Sequence, residues 1–356
     1  MTLEPYTFKI KLMYFVGAIL AGGKGERFWP LSREKNPKQF LKIVGDKELI
    51  EMSYERVAGV VREGEIIFVT TKVLEDEVKK RFPSSKVIAE PVGRNTAPAC
   101  AVANRYAMDK YGQCIVGVFP ADHYVKEVDR FVNTLKIGIK WAEKGYFVTL
   151  GIKPTRPETG YGYIERGEEL EDRVFNVVKF HEKPKREVAE KYLKSGRFYW
   201  NSGIFLWRTD IFENALKEHL PELYKLIEEH GIEGEGLYKV YENAPSISID
   251  YGIMEKIDNM VVVETDFFWE DLGSYPALER ILDKDEEGNI FLGEIVSLDS
   301  ENNIAISKDG VIALLGVKDL VVVKTSDAVL VMPKEKSQDV KKILKILREK
   351  NLNKYL

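Results

Sequence analysis

Gly22, Gly23 and Gly25 stand among Lys24, Arg27, Arg33, Lys35 and Lys38, a mixture suited to holding an anion. Glycines take backbone angles closed to other residues, so a turn built on them can aim several N–H groups into one concavity. Guanidinium and ammonium groups add charge-assisted hydrogen bonds to the same guest. Two carboxylates stand further along: Asp122, beside His123, and Asp271, beside Glu270. Each follows an apolar segment, a place where a hard cation such as Mg²⁺ can be shared with phosphate oxygens. No serine–histidine–aspartate or cysteine–histidine pattern for nucleophilic attack by the protein accompanies them.

Taken singly, each feature has a plainer account. The glycines alone serve equally well as a chain turn, the basic residues as solvated charges, Asp122 as a turn or cap residue and Asp271 as a surface carboxylate. The combination is more specific, because residues 15–21 form an apolar run of strand formers that ends abruptly in Gly22. Two commoner phosphate loops do not fit the spacing. A dinucleotide fingerprint needs a glycine where Phe28 stands, and a Walker loop needs Ser or Thr after its lysine, where Lys24 is followed by Gly25.

The run from Gly22 through Arg27, Pro30, Leu31, Ser32 and Arg33 to Pro37, Lys38, Gln39 and Phe40 resembles the signature of the sugar-nucleotide pyrophosphorylases. Phe28, Trp29, Gln39 and Phe40 resemble the mannose-1-phosphate guanylyltransferase branch. The resemblance implies GTP and mannose 1-phosphate as substrates, GDP-mannose and pyrophosphate as products, and Mg²⁺ held by Asp122 and Asp271, with Glu270 competing for the second place. It implies catalytic roles for Arg27, Lys38 and Lys183. Leu20, Ala21, Gly22, Gly23, Gly25, Glu90, Asn95, Thr96 and Asp122 would then hold the nucleotide, with Asn95 and Thr96 against guanine. By chemistry alone the 90–99 segment passes equally for a capped helix start. Tyr161, Gly162, Glu182, Lys183, Asn201 and Asp250 would hold the sugar phosphate, with Glu165 completing that pocket.

The elements that must position these residues alternate strand and helix. Residues 48–61 carry a helical stripe at Ile50, Tyr54, Val57 and Val61; 66–70 reads as a strand, 75–81 as a helix, 86–89 as a strand, 98–111 as a helix and 114–119 as a strand. A helix at 129–144 and a strand at 146–150 continue the pattern. The fold class is α/β, a doubly wound and mostly parallel sheet, whose ligands bind at the carboxyl ends of strands. Strand candidates at 161–164, 174–180 and 203–207 are expected to form a lid over the sheet. Helices follow at 211–229 and 237–243, and a strand at 261–264.

Past residue 288 the texture changes to short strands at 292–298, 303–307, 311–314, 320–324 and 328–332. The resemblance suggests a β-helix-like unit; a small sandwich or an extension of the main sheet fits the pattern as well. A closing helix places Val340, Ile343, Leu344 and Leu347 on one face. The expected units are a catalytic domain over 13–283 and a small β domain over 289–356.

A chain of 356 residues, 44% hydrophobic and 31% charged, is long enough for a large core. A net charge of −4 argues against a general nucleic-acid binder, so basic character must be local. Cys100 and Cys114 are too far apart for a redox or zinc motif, and His123, His181, His219 and His230 show no ligand spacing. Lys9 and Lys11 before an apolar run imitate a signal peptide, but the run is short and feeds the glycine turn. A cytoplasmic homodimer with a single activity and no membrane partner is expected. Two rivals stay open: a pyrophosphorylase for dTTP, UTP or another sugar, and a catalytically silent subunit that senses sugar nucleotides.

Overall fold

The computed structural model describes residues 13–61 and 64–356; Lys9 and Lys11 lie outside them. The apolar run becomes β1 (Phe15–Leu20), buried along nearly its whole length. Then come α1 (Leu49–Ala58), β2 (Gly64–Thr71), α2 (Glu75–Arg81), β3 (Lys86–Glu90), α3 (Thr96–Tyr111) and β4 (Ile115–Pro120). These strands lie in the order β3-β2-β1-β4 and all run parallel. The chain leaves β1 toward one side and returns on the other, so the β1–β4 boundary is a topological switch point where a crevice opens at the strand ends. Leu20 pairs with Pro120 in register, and the glycine turn and the Asp122 loop therefore leave the sheet side by side.

After β5 (Tyr124–Val125) come α4 (Val128–Glu143), β6 (Phe147–Ile152), β7 (Tyr163–Glu171), β8 (Val174–His181), α5 (Arg186–Ser195) and β9 (Phe198–Arg208). The chain continues with α6 (Thr209–His219), α7 (Pro221–His230), α8 (Gly234–Asn243), β10 (Met260–Glu264) and β11 (Trp269–Glu270). The main sheet has nine strands in the order β3-β2-β1-β4-β9-β6-β10-β8-β7. Only β9 and β8 run against the rest, which makes the sheet mostly parallel.

The expected lid is not there. β9 is inserted between β4 and β6 at the centre of the sheet, and β7 and β8 extend its far edge. The reason is burial: most of the aromatic run in β9 is out of solvent, an amount of apolar surface that a lid over a wet cleft would leave exposed. The helix expected over 211–229 is broken into α6 and α7, because Pro221 cannot continue a helix but starts one well.

Alternate residues of the strands face two helical layers. Val16 and Ala18 pack with Ala101, Phe212 and Leu216 on one side. Phe15 and Ile19 pack with Val57, Phe131 and Leu135 on the other. No helix among the described residues is long and apolar enough to cross a membrane.

The C-terminal region contains β12 (Ile290–Leu292), β13 (Ile295–Leu298), β14 (Ile304–Ser307), β15 (Ile312–Leu315), β16 (Leu320–Lys324), β17 (Val329–Pro333) and α9 (Val340–Glu349). The strand expected over 292–298 is two strands, turned at Gly293 with φ of 98°. β12, β14 and β16 pair in parallel, as do β13 and β15, so successive turns of chain stack as a short β-helix. Asn303 donates to Asn289 Oδ1 at 3.1 Å and accepts from Leu320 N at 3.0 Å, stitching successive turns together.

This coil shares one core with the loop after β1. Phe28, Trp29 and Tyr275 pack with Ile304, Val323, Met332, Val340 and Leu344. Ile343, expected on the same face of α9, is 40% exposed, so the buried stripe is Val340 and Leu344 with Leu347 partly covered.

Candidate active site

A cleft of about 480 Å³ opens at the switch point. Leu20, Gly22, Gly23, Glu90, Asn95, Thr96 and Asp122 line one part of it, and Tyr161, Gly162, Glu182, Lys183, Asn201, Asp250 and Asp271 the other. Ala21 lies under the glycine turn, fully buried, its carbonyl accepting from Gln39 Nε2 at 2.8 Å and Thr70 Oγ1 at 3.0 Å. No acceptor among the described residues takes the backbone N–H groups of Gly22, Gly23, Lys24 or Gly25.

Gly25 sits at φ of 60°, and a Cβ there would meet the Lys38 Cβ at 2.4 Å. Glycine at this position lets Lys38 cross behind the turn. The Lys38 ammonium is 2.7 Å from Asp122 Oδ2 and donates to the carbonyls of Asp271 at 2.7 Å and Leu272 at 3.1 Å. Leu272 holds φ of 51°, an uncommon conformation for a non-glycine residue. Arg27 donates to the Gly273 carbonyl at 2.7 Å, beside the Asp271 carboxylate. Lys38 and Arg27 thus join the first loop to the 271–273 loop, while Lys24 and Lys35 are exposed. Arg33 points away from the cleft, to Asp327 at 2.7 Å and the Tyr355 carbonyl at 2.5 Å. It belongs to the joint with the C-terminal coil.

β5 and β11 pair antiparallel, with Tyr124 opposite Glu270, and this two-stranded ribbon brings Asp122 and Asp271 into one cleft. The competitor Glu270 is 2% exposed and spent on other partners: Arg280 at 2.6 and 2.8 Å, Arg156 at 3.5 Å and the Tyr161 hydroxyl at 2.8 Å. Burial raises its carboxyl, but Arg280 and Arg156 outweigh that and hold it below the usual range. Asp271 accepts, among the described residues, only from the Tyr161 hydroxyl, at 3.0 Å, and faces the cleft. For Asp122, burial also pushes upward, but the Lys38 ammonium overcomes it and keeps the carboxylate ionised.

Two partly accessible carboxylates sharing a cleft are a suitable donor set for a hard divalent cation. No group of three or more His, Cys, Asp or Glu side chains converges among the described residues, so any such ion would complete its shell with phosphate oxygens and water. His123 accepts from Trp269 Nε1 at 3.2 Å on Nδ1, and burial lowers its pKa to about 4. It is a neutral imidazole in the cleft wall.

At the far end of the turn, Glu90 is 6% exposed and its Oε1 has no hydrogen-bond partner among the described residues. Burial pushes its pKa to about 7, with the nearby Tyr241 hydroxyl pulling the other way without reaching good hydrogen-bond geometry. A Cβ on Gly22 would stand 2.9 Å from its Oε2, so the turn passes directly over the carboxylate. Asn95 (φ 67°) caps α3, its Oδ1 accepting from Thr96 N at 2.9 Å. Thr96 Oγ1 accepts from Ile249 N at 2.8 Å and so fastens the segment that carries Asp250.

Asp250 begins a single π-helical turn and accepts from Asn201 Nδ2 at 3.0 Å. Burial, with the Glu182 charge, raises it to about 6. Lys183 (φ 45°) contacts the Glu182 carboxylate. Glu165 is not part of this pocket; it faces Arg197 at 3.5 Å and His181 at 4.0 Å on the outer hairpin. Reasoning from sequence also passed over Arg280, Arg156 and Arg56, whose burial depends on contacts distant in the chain.

Residues 16–288 match the nucleotidyl transferase family, and residues 293–347 match a mannose-phosphate isomerase/GMP-like β-helix domain. A mannose-1-phosphate guanylyltransferase of Salmonella montevideo is 39% identical over 95% of this chain and 75% of its own length. One of Klebsiella pneumoniae is 38% identical over 95% of this chain and 74% of its own. A crystal structure named mannose-1-phosphate geranyltransferase, from Thermus thermophilus, superposes with a TM-score of 0.87 at 37% identity, covering 94% of this chain and all of that one. On this likeness, which runs through both the sheet and the coil, the chain belongs to the nucleotidyl transferase family, among its mannose-1-phosphate guanylyltransferases.

Proposed function

We infer that the chain transfers a guanylyl group from GTP to α-D-mannose 1-phosphate, giving GDP-mannose and pyrophosphate. The observation that carries this reading is the Glu90 carboxylate, buried in the cleft with one oxygen that makes no well-formed hydrogen bond, the Tyr241 hydroxyl being its only polar neighbour of note among the described residues. An unpaired buried acceptor is costly, and guanine offers two adjacent N–H donors on one edge, which a carboxylate can take together. Uracil and thymine offer a single ring N–H there.

The triphosphate would lie along the glycine turn, where the N–H groups of residues 22–25 are unused. The sugar phosphate would lie between Lys183, Glu182, Asn201 and Asp250, whose oxygens suit sugar hydroxyls. A non-bridging oxygen of the 1-phosphate attacks the α-phosphorus, and the bond from that phosphorus to the β-phosphate oxygen breaks in line. Lys183 carries the incoming phosphate. Lys38 and Arg27 carry charge beside the α-phosphate and the leaving pyrophosphate. Mg²⁺ held by Asp122 and Asp271 would neutralise further charge at the same oxygens. No proton transfer from the protein is required, which agrees with the neutral His123.

Cytoplasmic location and pairing of two copies belong to the same reading. Val296, Leu298 and Leu315 are exposed on one face of the β13–β15 pair, with Leu298 opposite Leu315, and a second copy would cover them. Light scattering of wild type and a Leu298→Lys variant tests the pairing, since an equal mass for both would refute it.

The decisive experiment for the reaction is pyrophosphate release over a matrix of GTP, dTTP, UTP and ATP with mannose, glucose and N-acetylglucosamine 1-phosphates. GTP with mannose 1-phosphate should give the highest turnover. A preference for dTTP or UTP, or no turnover at all, would replace this reading with one of its rivals.

A further inference from the structure

Arg56 is 4% exposed on α1, yet no carboxylate among the described residues pairs with it. Burial pulls its pKa down to about 10, and its guanidinium lies 5.9 Å from the Phe131 ring. A buried cation without a counter-ion is a poor way to stabilise a fold, because desolvation is not recovered by an ion pair. Its polar contact goes elsewhere: Nη2 donates to the backbone carbonyl of His123 at 3.0 Å.

One turn earlier on the same helix face, the fully buried Ser53 donates through Oγ to the Pro120 carbonyl at 3.1 Å. The two accepting carbonyls stand on either side of Asp122. Only about 10 Å³ of free space remains between the helix and this loop, roughly the room one water needs. On its other side Asp122 meets Lys38 at 2.7 Å. The loop is therefore gripped from behind by α1, through main-chain atoms, while its one carboxylate is presented to the cleft.

We propose that Arg56, assisted by Ser53, is a positioning residue for the transfer: it fixes the 120–123 loop by its carbonyls so that the Asp122 carboxylate meets cation and phosphate in one orientation. This rests on the guanylyl-transfer reading. A purely structural arginine would affect stability and leave the rate alone, so the two roles separate in one set of variants.

The experiment compares Arg56→Met, Arg56→Lys and Ser53→Ala with wild type in the full chain. It measures kcat, KM for GTP, the Mg²⁺ concentration for half-maximal rate, the thermal midpoint, and Mn²⁺ affinity of the nucleotide-free protein by titration. Arg56→Met is expected to keep or raise the midpoint, since an apolar side chain of similar length replaces an unpaired buried cation. Its kcat should fall about 100-fold, the scale of a small misplacement of a reacting group. Mn²⁺ affinity should drop in parallel, and KM for GTP should stay within about 3-fold. Arg56→Lys, still able to donate to the His123 carbonyl, should recover part of the loss, and Ser53→Ala should shift kcat and Mn²⁺ affinity several-fold in the same direction.

Near-normal kcat and Mn²⁺ affinity in Arg56→Met would overturn the proposal, as would a lysine variant no better than methionine. A methionine variant that fails to fold leaves Ser53→Ala decisive, and unchanged kcat and metal affinity there would overturn it too. If wild type turns over no guanylyl transfer, the reaction reading fails on its own, while the Mn²⁺ titrations still decide the role of Arg56.

Discussion

Arg33 and Asp327 meet at 2.7 Å across the joint between the β1 loop and the C-terminal coil. Arg33 also donates to the Tyr355 carbonyl at 2.5 Å and to the Pro30 carbonyl at 2.9 Å, and Trp29 Nε1 reaches Tyr355 as well, at 2.7 Å. The segment that carries Arg27 and Lys38 on its cleft side is thus tied down from its opposite side by the β-helix region.

Replacing Arg33 by alanine should therefore act on stability. Asp327 is half exposed, so the ion pair itself is weak, and most of the cost comes from the lost bonds to main-chain carbonyls. A loss of about 1–2 kcal/mol is expected, against about 0.5 kcal/mol or less for the exposed neighbour Lys35→Ala. Urea unfolding of both variants measures the contrast, and equal midpoints would remove the joint from the account.

Lys38 is the group that keeps Asp122 ionised. Lys38→Met should lower turnover by about 100-fold or more, the scale of a lost charge contact to a reacting phosphate. The sign of its pH dependence follows from the carboxylate. A depressed folded pKa contributes stability above the unfolded value near 4, which is lost as pH falls through the folded one. The methionine variant lacks that contribution, so its stability deficit should be largest near neutral pH and shrink below about pH 4. Unfolding midpoints at the two pH values check this; a deficit that grows on acidification would contradict it.

Glu90 runs the other way. Its folded pKa is raised to about 7, so its contribution favours the fold below the unfolded value near 4 and is lost as pH rises through about 7. The free enzyme should gain stability relative to Glu90→Gln as pH falls from 8 to 5, while GTP binding, with the carboxylate as the proposed acceptor for guanine, should strengthen as pH rises across the same range. Glu90→Gln should raise KM for GTP by about 10–100-fold, the value of a charged hydrogen bond or two, with KM for mannose 1-phosphate little changed. A glutamine variant with wild-type KM for GTP would place guanine elsewhere.

The two halves of the site differed in how readably the sequence announced them. The glycine turn and Asp122 were legible because each follows a continuous apolar strand, and strand ends of a parallel sheet converge by topology. β9 was harder: Asn201, Ser202 and Gly203 interrupt its apolar run, and their polarity reads as a break when they are in fact the part of a central strand that faces the cleft. Glu165 was misplaced for the opposite reason, since Tyr161 and Gly162, just before β7, line the cleft while Glu165, further along the strand, faces Arg197 and His181. Arg56 carried no signal at all. A basic residue within a helical stripe looks solvated until Phe131 and the 120–123 loop are packed over it.

Glu270 and Asp271 are adjacent carboxylates, and the sequence could not rank them; their partners do. Glu270 is enclosed by Arg280, Arg156 and the Tyr161 hydroxyl, whereas Asp271 accepts from Tyr161 and faces the cleft. Glu270→Gln should leave two guanidinium groups without their carboxylate. Breaking a buried pair costs about 3–5 kcal/mol, and because Arg280 is one-third exposed a smaller loss, about 2–3 kcal/mol, is expected here. Asp271→Asn should instead keep the thermal midpoint within a few degrees and lower turnover by orders of magnitude, as should Asp122→Asn, because asparagine keeps the size but not the charge that a hard cation prefers. Measuring midpoint and turnover on all three variants separates a structural carboxylate from a catalytic pair. If Asp271→Asn turned over normally at saturating Mg²⁺ while Glu270→Gln lost rate without losing stability, the assignment of the two residues would have to be exchanged.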